Sequence, residues 1–394
     1  MHQEAGLNSC KNAYLGILLL GIVSLMGDVV YEGSRGIVPG YLEFLGATAL
    51  TVGLVGGLGD FLGYAMRLVS GFLADTTRAY WLFIFLGYGL IVSIPFLGLS
   101  IGLEIAVIFV LLERLGKAMR SPSRDTVLSI ISRDVGAGKA FGVHELLDQI
   151  GGIGGPLLVA ALMFSTQNNY GFTFSFLFLP FVFLLLALAY TYRRISSKTI
   201  IIESQRMEEM KGKLGRRFYI YTFAVLLNTV GLITYALILY KASEILPLSE
   251  QWIVSLIYLL IQGVDAPVAL IAGYAYDKFG IRVLVMPFIF SLFPSLLTMV
   301  SAELSTLIAV AVVFGLVLGM QESVYRAAVS ELTPVSSRGT AYGIFNTAYG
   351  VGFLISGAVY GLLMELRLPF ITVIFYVLIT QITATASLLS IRQN

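Results

Sequence analysis

Thirteen ionisable side chains stand within stretches that are otherwise apolar. The acids are Asp28, Glu32, Asp60, Glu113, Glu145, Asp148, Asp265 and Glu322, and the bases are Arg67, Arg114, Lys117, Arg120 and Arg326. His144 lies beside them. A charge at membrane depth costs about 2.5–3.5 kcal/mol or more unless it is paired or faces water. A carboxylic acid removed from water keeps its proton to higher pH, and hydration or an arriving cation ionises it again. Such groups can couple the movement of a proton to that of another solute. Side chains four apart share a helix face. That spacing joins Asp28 to Glu32, Glu113 to Lys117, His144 to Asp148, Glu145 to Gln149 and Glu322 to Arg326, and Asp60 and Arg67 share a face at seven. Arg114 is expected to pair with Asp148 on the following helix. Asp28 and Asp60, then Glu113 and Asp148, are the expected proton carriers. Glu32, Arg114 and His144, which titrates in a useful range, complete the expected charged wall.

The elements that position these groups follow from composition. The 394 residues are 57% hydrophobic and 12% charged, with mean hydropathy +0.88 and formal net charge +2. A soluble domain carries about twice that charge. Soluble enzymes, nucleic-acid binders and disordered chains are thereby excluded, and the expectation is a protein without enzymatic activity. One cysteine, Cys10, allows no internal disulfide, and two histidines, His2 and His144, allow no multi-histidine metal centre. No phosphate-binding Gly-x-x-x-x-Gly-Lys-Ser/Thr segment occurs, so no nucleotide cofactor is expected.

About 20 mainly apolar residues cross a hydrocarbon core. Residues 79–103, 218–240, 283–302, 339–364 and 368–391 each lack charge over at least that length, and 149–192 splits at Ser165–Gly171. Spans with charges cover about 12–34, 50–73, 104–121, 139–164, 250–275 and 304–330, giving twelve helices. Glycines at 53–63 and 151–155 fall inside apolar spans and are expected to serve helix packing. Lysines and arginines concentrate in loops that face one side if the N-terminus is cytoplasmic: Lys11, Arg78, Arg124, Arg133, Lys139, Lys278, Arg282, Arg338, Arg392 and the segment 193–217, against Arg35, Lys241 and Arg367. Both termini are therefore expected in the cytoplasm, with the chain in the cell membrane. At 1.5 Å per residue, Asp60, Glu113 and Asp148 fall near mid-bilayer. Asp28 lies beyond it and Glu32 near the outer interface, while Arg67, Asp265, Glu322 and Arg326 lie nearer the inside.

The halves echo each other. Gly71–Asp75 returns as Gly273–Asp277, Ala140-Phe141-Gly142 as Ala341-Tyr342-Gly343, and Gly151 as Gly352, at offsets of about 201–202. Duplication around a central site is a transporter signature. The expected domains are a six-helix bundle at 1–193, a charged linker at 194–217 containing Glu203, Glu208 and Glu209, and a second bundle at 218–394.

The repeated Gly-x-x-x-Asp, completed in the second copy by Lys278, Gly280 and Arg282, resembles the loop motif of the major facilitator superfamily. Gly151-Gly152-Ile153-Gly154-Gly155-Pro156 resembles the Gly-x-x-x-Gly-Pro motif of its antiporters. The first loop copy departs at Thr76 and Arg78, and the antiporter motif departs at Val159 and Ala160. The resemblance implies an all-α membrane protein of twelve transmembrane helices in two pseudo-symmetric bundles. It makes Asp75, Arg78, Arg120, Asp277, Lys278, Arg282 and Arg326 gating candidates. It also implies a cavity lined by Tyr31, Asn228, Tyr235 and Gln321, with Asn346 and Tyr349 at the repeat positions of Glu145 and Asp148. The leading expectation is proton-coupled export of small amphipathic or cationic compounds by a monomer embedded in lipid, with no nucleic-acid partner. The alternatives are a proton symporter of a small organic anion using Arg67, Arg114 and Arg326, a divalent-metal exporter using Asp28, Glu32, Asp60 and His144, and a non-transporting receptor.

Overall fold

The structure is a computed structural model. It describes residues 2–100, 102–132, 135–195, 214–334 and 337–391, and the side chains of these except 2–12, 137 and 138. Residues 196–213 of the expected linker, with Glu203, Glu208 and Glu209, lie outside the described residues. So do Arg133, Arg392 and the side chains of His2, Cys10 and Lys11.

Lipid offers no hydrogen bonds to backbone, so the apolar runs close their polar groups within helices. Twelve spans result among the described residues. The first is α1 (His2–Arg35), continued after Gly36 and Ile37 by the short α2 (Val38–Phe44). Then follow α3 (Ala49–Thr77), the pair α4 (Tyr80–Gly89) and α5 (Ser93–Leu97), α6 (Leu103–Ile131), α7 (Ala137–Ser165), and the pair α8 (Tyr170–Phe176) and α9 (Phe178–Arg194). The second half runs through the pair α10 (Arg216–Val230) and α11 (Tyr235–Ile245), α12 (Trp252–Phe279), the pair α13 (Val285–Phe290) and α14 (Leu292–Val300), the pair α15 (Leu304–Met320) and α16 (Arg326–Leu332), α17 (Arg338–Glu365) and α18 (Phe370–Ser390). Ten helical stretches pass a test of length and apolarity alone. Two facts reconcile ten with twelve: α6 carries too many charges to pass, and 252–300 turns back at Gly280, whose φ of +61° suits glycine.

The first span is longer than the apolar run suggested. Because α2 carries the helical path on to Phe44, Arg35 stands within the span and not in a loop, and the Glu32 and Arg35 side chains are largely buried. Arg35 therefore leaves the set of loop cations.

Two glycine seams hold helices close. Across the bundle interface, α3 runs antiparallel to α17, and Gly53 meets Gly357 so tightly that a Cβ at Gly53 would stand 2.1 Å from the Gly357 carbonyl oxygen. Gly57 against Phe353 and Gly350 against Phe61 continue the seam. Inside the first half, Gly151 and Gly155 of α7 rest on the α1 backbone at Leu25 and Val29. These contacts give Gly53, Gly57, Gly151 and Gly155 the packing role expected of their runs, whereas Gly63, Gly152 and Gly154 meet no neighbour within 4 Å.

The seventh span breaks between Val230 and Tyr235, and neighbours satisfy the freed backbone. Ser295 Oγ donates to the Gly231 carbonyl (3.1 Å) and accepts from Ile233 N–H (2.9 Å). Tyr360 and Tyr376 donate to the carbonyls of Gly231 (2.6 Å) and Val230 (2.8 Å), and Ser356 donates to that of Leu232. Irregular backbone at membrane depth persists only with such partners.

Gly53→Val is expected to destabilise the protein by about 1–3 kcal/mol or more through overpacking against backbone. Gly152→Val, which meets nothing within 4 Å, is expected to change little. Thermal unfolding of the two purified variants in one detergent checks the difference.

Candidate functional site

A cavity of about 130 Å³ lies between the bundles, lined by charged groups on one wall and largely apolar groups on the other. The first half supplies Glu32 and Arg35 from α1, Asp60, Tyr64 and Arg67 from α3, and Arg114 and Lys117 from α6. The second half supplies Tyr235 from α11, Tyr258, Ile261 and Gln262 from α12, Phe314 and Leu318 from α15, Glu322 at its end and Phe353 from α17. The sequence-identified Glu32, Asp60, Arg114 and Tyr235 thus converge.

The charged wall is a chain of shared partners. Arg35 Nη1 binds Glu32, and its Nη2 stands 3.9 Å from Glu113 Oε1. Arg114 reaches Asp60 at 3.4 Å and Glu113 at 3.5 Å, and donates across the interface to Tyr235. Lys117 Nζ is 3.3 Å from Glu32, and Tyr258 donates to Glu32 from the second half at 2.5 Å. Arg114 therefore pairs with Asp60 and Glu113, not with Asp148 as expected. Lys117 turns from Glu113 to Glu32. Sharing Arg35 and Arg114 each between two acids lowers the cost of keeping the set from bulk water.

Asp28 is buried, with its Cβ side packed toward Gly151. Asp148, Lys117 and Glu32 lie within its electrostatic reach, but among the described residues no cation is at ion-pair distance. Asp148 is held by His144 Nδ1 at 3.3 Å and Arg124 at 3.7 Å. Asp265 is buried on α12, and its Oδ1 has no hydrogen-bond partner among the described residues.

Asn228, Gln321 and Tyr349 stand behind the cavity, not on its wall. The Asn228 Oδ1 accepts from Gln321 (3.1 Å) and Tyr325 (2.7 Å), its Nδ2 donates to Gln381 (2.7 Å), and Gln381 donates back to its carbonyl (2.9 Å). Tyr349 donates to Gln321 at 2.8 Å. A π-type turn over Gln321–Tyr325 aims these side chains inward. Asn346 is half-buried on α17 and does not line the cavity. Tyr31 is buried in the first half beneath Arg35, Lys117 and Arg120.

The gating candidates separate. Arg120 is buried inside the first bundle between the rings of Tyr31 and Tyr88, at 4.8 and 4.9 Å. Asp75 accepts from Tyr80 (3.0 Å) within its own half, and Arg78 ends α3 with φ +57°. Asp277, Lys278, Arg282 and Arg326 are exposed. The described interbundle hydrogen bonds lie at the cavity or toward the other end. There Asn168 Nδ2 donates to the Leu248 carbonyl and its Oδ1 accepts from Trp252 N–H, both at 2.9 Å. Ser243 donates to Glu43, Leu50 N–H to Glu365 (3.2 Å) and Ser255 to the Pro156 carbonyl (2.9 Å).

Arg35, Tyr64, Tyr258 and Gln262 escaped the sequence reading. Arg35 followed an apolar run that stops near Ser34, and the tyrosines look like any aromatic in a span. The available signals were spacings: Glu32 with Arg35 at three residues, and Asp60 with Tyr64 and Tyr258 with Gln262 at four. The four residues offered for a metal do not converge, and among the described residues no three His, Cys, Asp or Glu side chains group as ligands.

A model of the Major Facilitator Superfamily matches residues 17–357. An uncharacterised protein of Mycobacterium bovis is 32% identical over 387 residues, covering 97% of this chain and 94% of that one. An uncharacterised MFS-type transporter of Methanocaldococcus jannaschii is 28% identical over 364 residues, covering 90% and 89%. In fold, the chain resembles the crystal structure of the nucleoside transporter NupG, with TM-score 0.72, 14% identity and coverage of 96% and 99%. It also resembles a bacterial homologue of the human lysosomal transporter Spinster, solved inward-facing and unoccupied, with TM-score 0.65, 13% identity and coverage of 96% and 98%.

Asn228→Leu is expected to leave Gln321, Tyr325 and Gln381 underbonded, at about 1–3 kcal/mol for each buried group left unpaired. A fall in unfolding temperature, larger than for Asn346→Leu, checks that Asn228 acts in packing.

Proposed function

Because this chain belongs to the major facilitator superfamily and is a multi-pass membrane transporter, we propose that it moves small amphipathic compounds by proton-coupled alternating access. The two unlike walls of the cavity support this substrate class. A polar or charged head meets the Glu32–Arg35–Asp60–Arg114–Lys117 wall, and an apolar body meets Ile261, Phe314 and Leu318. Aromatic faces at Tyr64, Tyr235 and Tyr258 add stacking or cation–π attraction.

The single observation that carries the coupling is that Glu32, Asp60 and Glu113 are all ion-paired, whereas Asp28 and Asp265 are buried without a cation at ion-pair distance among the described residues. A buried carboxylate without a cation is best accommodated as the neutral acid. Rocking of the bundles hydrates it and releases the proton. The cation-rich loops support a cytoplasmic placement of the termini. With the opposite end tied by Asn168, Ser243 and Leu50, the conformation is then inward-facing. Export in exchange for protons is the proposed direction.

A second reading, transport of a small organic anion, is favoured by Arg67. It lines the cavity, its guanidinium lies 5.2 Å from the Tyr64 ring, and its Nε has no hydrogen-bond partner among the described residues. A planar guanidinium holds a carboxylate through two bonds. Arg114 is a poor discriminator, since removing it also strips Asp60 of its partner.

The test is transport in proteoliposomes loaded with a pH-sensitive dye, using lipophilic cations, organic acids and nucleosides in turn. An active compound is expected to drive proton movement in the wild type. Asp28→Asn is expected to abolish that movement at least tenfold while preserving exchange of labelled for unlabelled compound. Transport without any proton movement would defeat the coupling. Loss of organic-acid transport alone in Arg67→Ala would select the second reading.

A further inference from the structure

The polar groups lining the central cavity fall into two sets. The ion-paired chain of α1, α3 and α6, with the two tyrosines that bond it from the second half, has its partners already. Tyr64, Arg67, Gln262 and Glu322 line the same cavity, and among the described residues their side chains make no hydrogen bond or ion pair. Order along the helices places this second set farther from the end tied by Asn168. α3 starts at that end, where Leu50 N–H meets Glu365, and passes Asp60 before Tyr64 and Arg67. α12 starts there too, where Trp252 N–H meets Asn168, and passes Tyr258 before Gln262. Glu322 follows Leu318 where α15 runs into its π-type turn. That turn, over Gln321–Tyr325, interrupts the regular helix that the spacing of Glu322 and Arg326 assumes, and no ion pair joins them among the described residues. The Arg67 guanidinium lies 5.2 Å from the Tyr64 ring, and Tyr64 is within electrostatic reach of Glu322 as well. Arg326 is also within that reach but does not line the cavity. Glu322 is exposed and the other three are half-buried. A solute entering from the side of the termini therefore meets these groups before it meets the paired chain.

We propose that Arg67, Gln262 and Glu322 form the recognition subsite of this cavity, and that its substrate is a small zwitterion on an apolar body. A solute bonding to the paired chain would have to break buried ion pairs, and its own bonds would only replace them. Groups without protein partners give up nothing but water. A guanidinium holds a carboxylate, sulfonate or phosphate through two parallel bonds, and its place over the Tyr64 ring adds cation–π attraction. The Glu322 carboxylate accepts from an ammonium group. Gln262 has both a donor and an acceptor and serves either end of the head. Specificity also needs a repulsive element. Here Glu322 repels a plain anion and Arg67 repels a plain cation, so a head bearing both signs is favoured over one bearing either alone. Ile261, Phe314, Leu318 and Phe353 then cover the apolar body. The paired chain sets the field around the head, and the uncommitted groups supply its bonds. The inference rests on reading this cavity as the transport site for small amphipathic compounds and narrows that class. It assigns no proton step.

The experiment is ligand-induced thermal stabilisation of the purified protein in detergent at neutral pH, without a proton gradient. Four probes share a phenyl body. Phenylalanine and β-phenyl-γ-aminobutyrate are zwitterions with short and long charge separation, phenethylamine is the matching cation and hydrocinnamate the matching anion. At least one zwitterion is expected to bind the wild type about tenfold or more tightly than both singly charged probes. Glu322→Gln is expected to abolish that preference while hydrocinnamate binds as well as before or better. Arg67→Gln is expected to weaken hydrocinnamate and the zwitterion alike. The comparison of probes on the wild type stands even if a variant fails to fold. Hydrocinnamate or phenethylamine binding the wild type as tightly as both zwitterions would overturn the subsite and leave the amphipathic reading in place. If none of the four binds, the amphipathic reading itself falls, and the subsite with it. Transport without proton movement in the dye experiment would end the coupling but not this assignment, because binding is read with no gradient present.

Discussion

The structure depends on one electrostatic constraint: a row of charges in the middle of an apolar bundle must find partners or water. Here two of the three cations in the chain are divided between acids. Arg35 serves Glu32 and Glu113, Arg114 serves Asp60 and Glu113, and Lys117 serves Glu32. Divided pairing keeps every member neutralised. Glu32 and Glu113 each have two cations within reach, while Asp60 has Arg114 alone. Tyr235 and Tyr258 reach this chain from the second half through hydrogen bonds to Arg114 and Glu32. These two hydrogen bonds are the contacts through which the proposed alternating access ties the charges to the position of the bundles.

The rest of the fold is closely packed around that chain. Glycine seams lock α1 to α7 and α3 to α17 at backbone distance. The second half is braced by the Asn228 network, whose members satisfy one another and leave little to offer a solute. The two halves thus divide the labour. The first carries most of the charges, while the second supplies Glu322, an apolar wall, two hydroxyls and a broken helix whose freed backbone is bonded by Ser295, Ser356, Tyr360 and Tyr376.

Much of this was legible in the sequence. Span positions followed from apolar length, and the 201–202 offset announced two halves whose motifs end α3 and α12 and begin α7 and α17. The acids near mid-bilayer were found because their cost there is hard to hide. Partner choice was not legible. Helical spacing joined Glu113 to Lys117, but Lys117 turns to Glu32 on another helix, and Asp60 outcompetes Asp148 for Arg114. Those outcomes are set by interhelical geometry, which a local period does not encode. Arg35 was misplaced because α2 extends the first span beyond its apolar run. Asn228 and Gln321 read as cavity groups because polarity in a span signals either a site or a buried network, and only packing separates the two.

The most direct measurement is chemical access to the cavity. With Cys10 replaced by serine, Gln262→Cys on the cavity wall and Asn228→Cys behind it are each exposed to a charged, membrane-impermeant thiol reagent. Rapid modification of the first from the side bearing the termini, with the second inert, is the predicted result. Equal inertness of both from either side would contradict a water-filled centre and, with it, the account built on it.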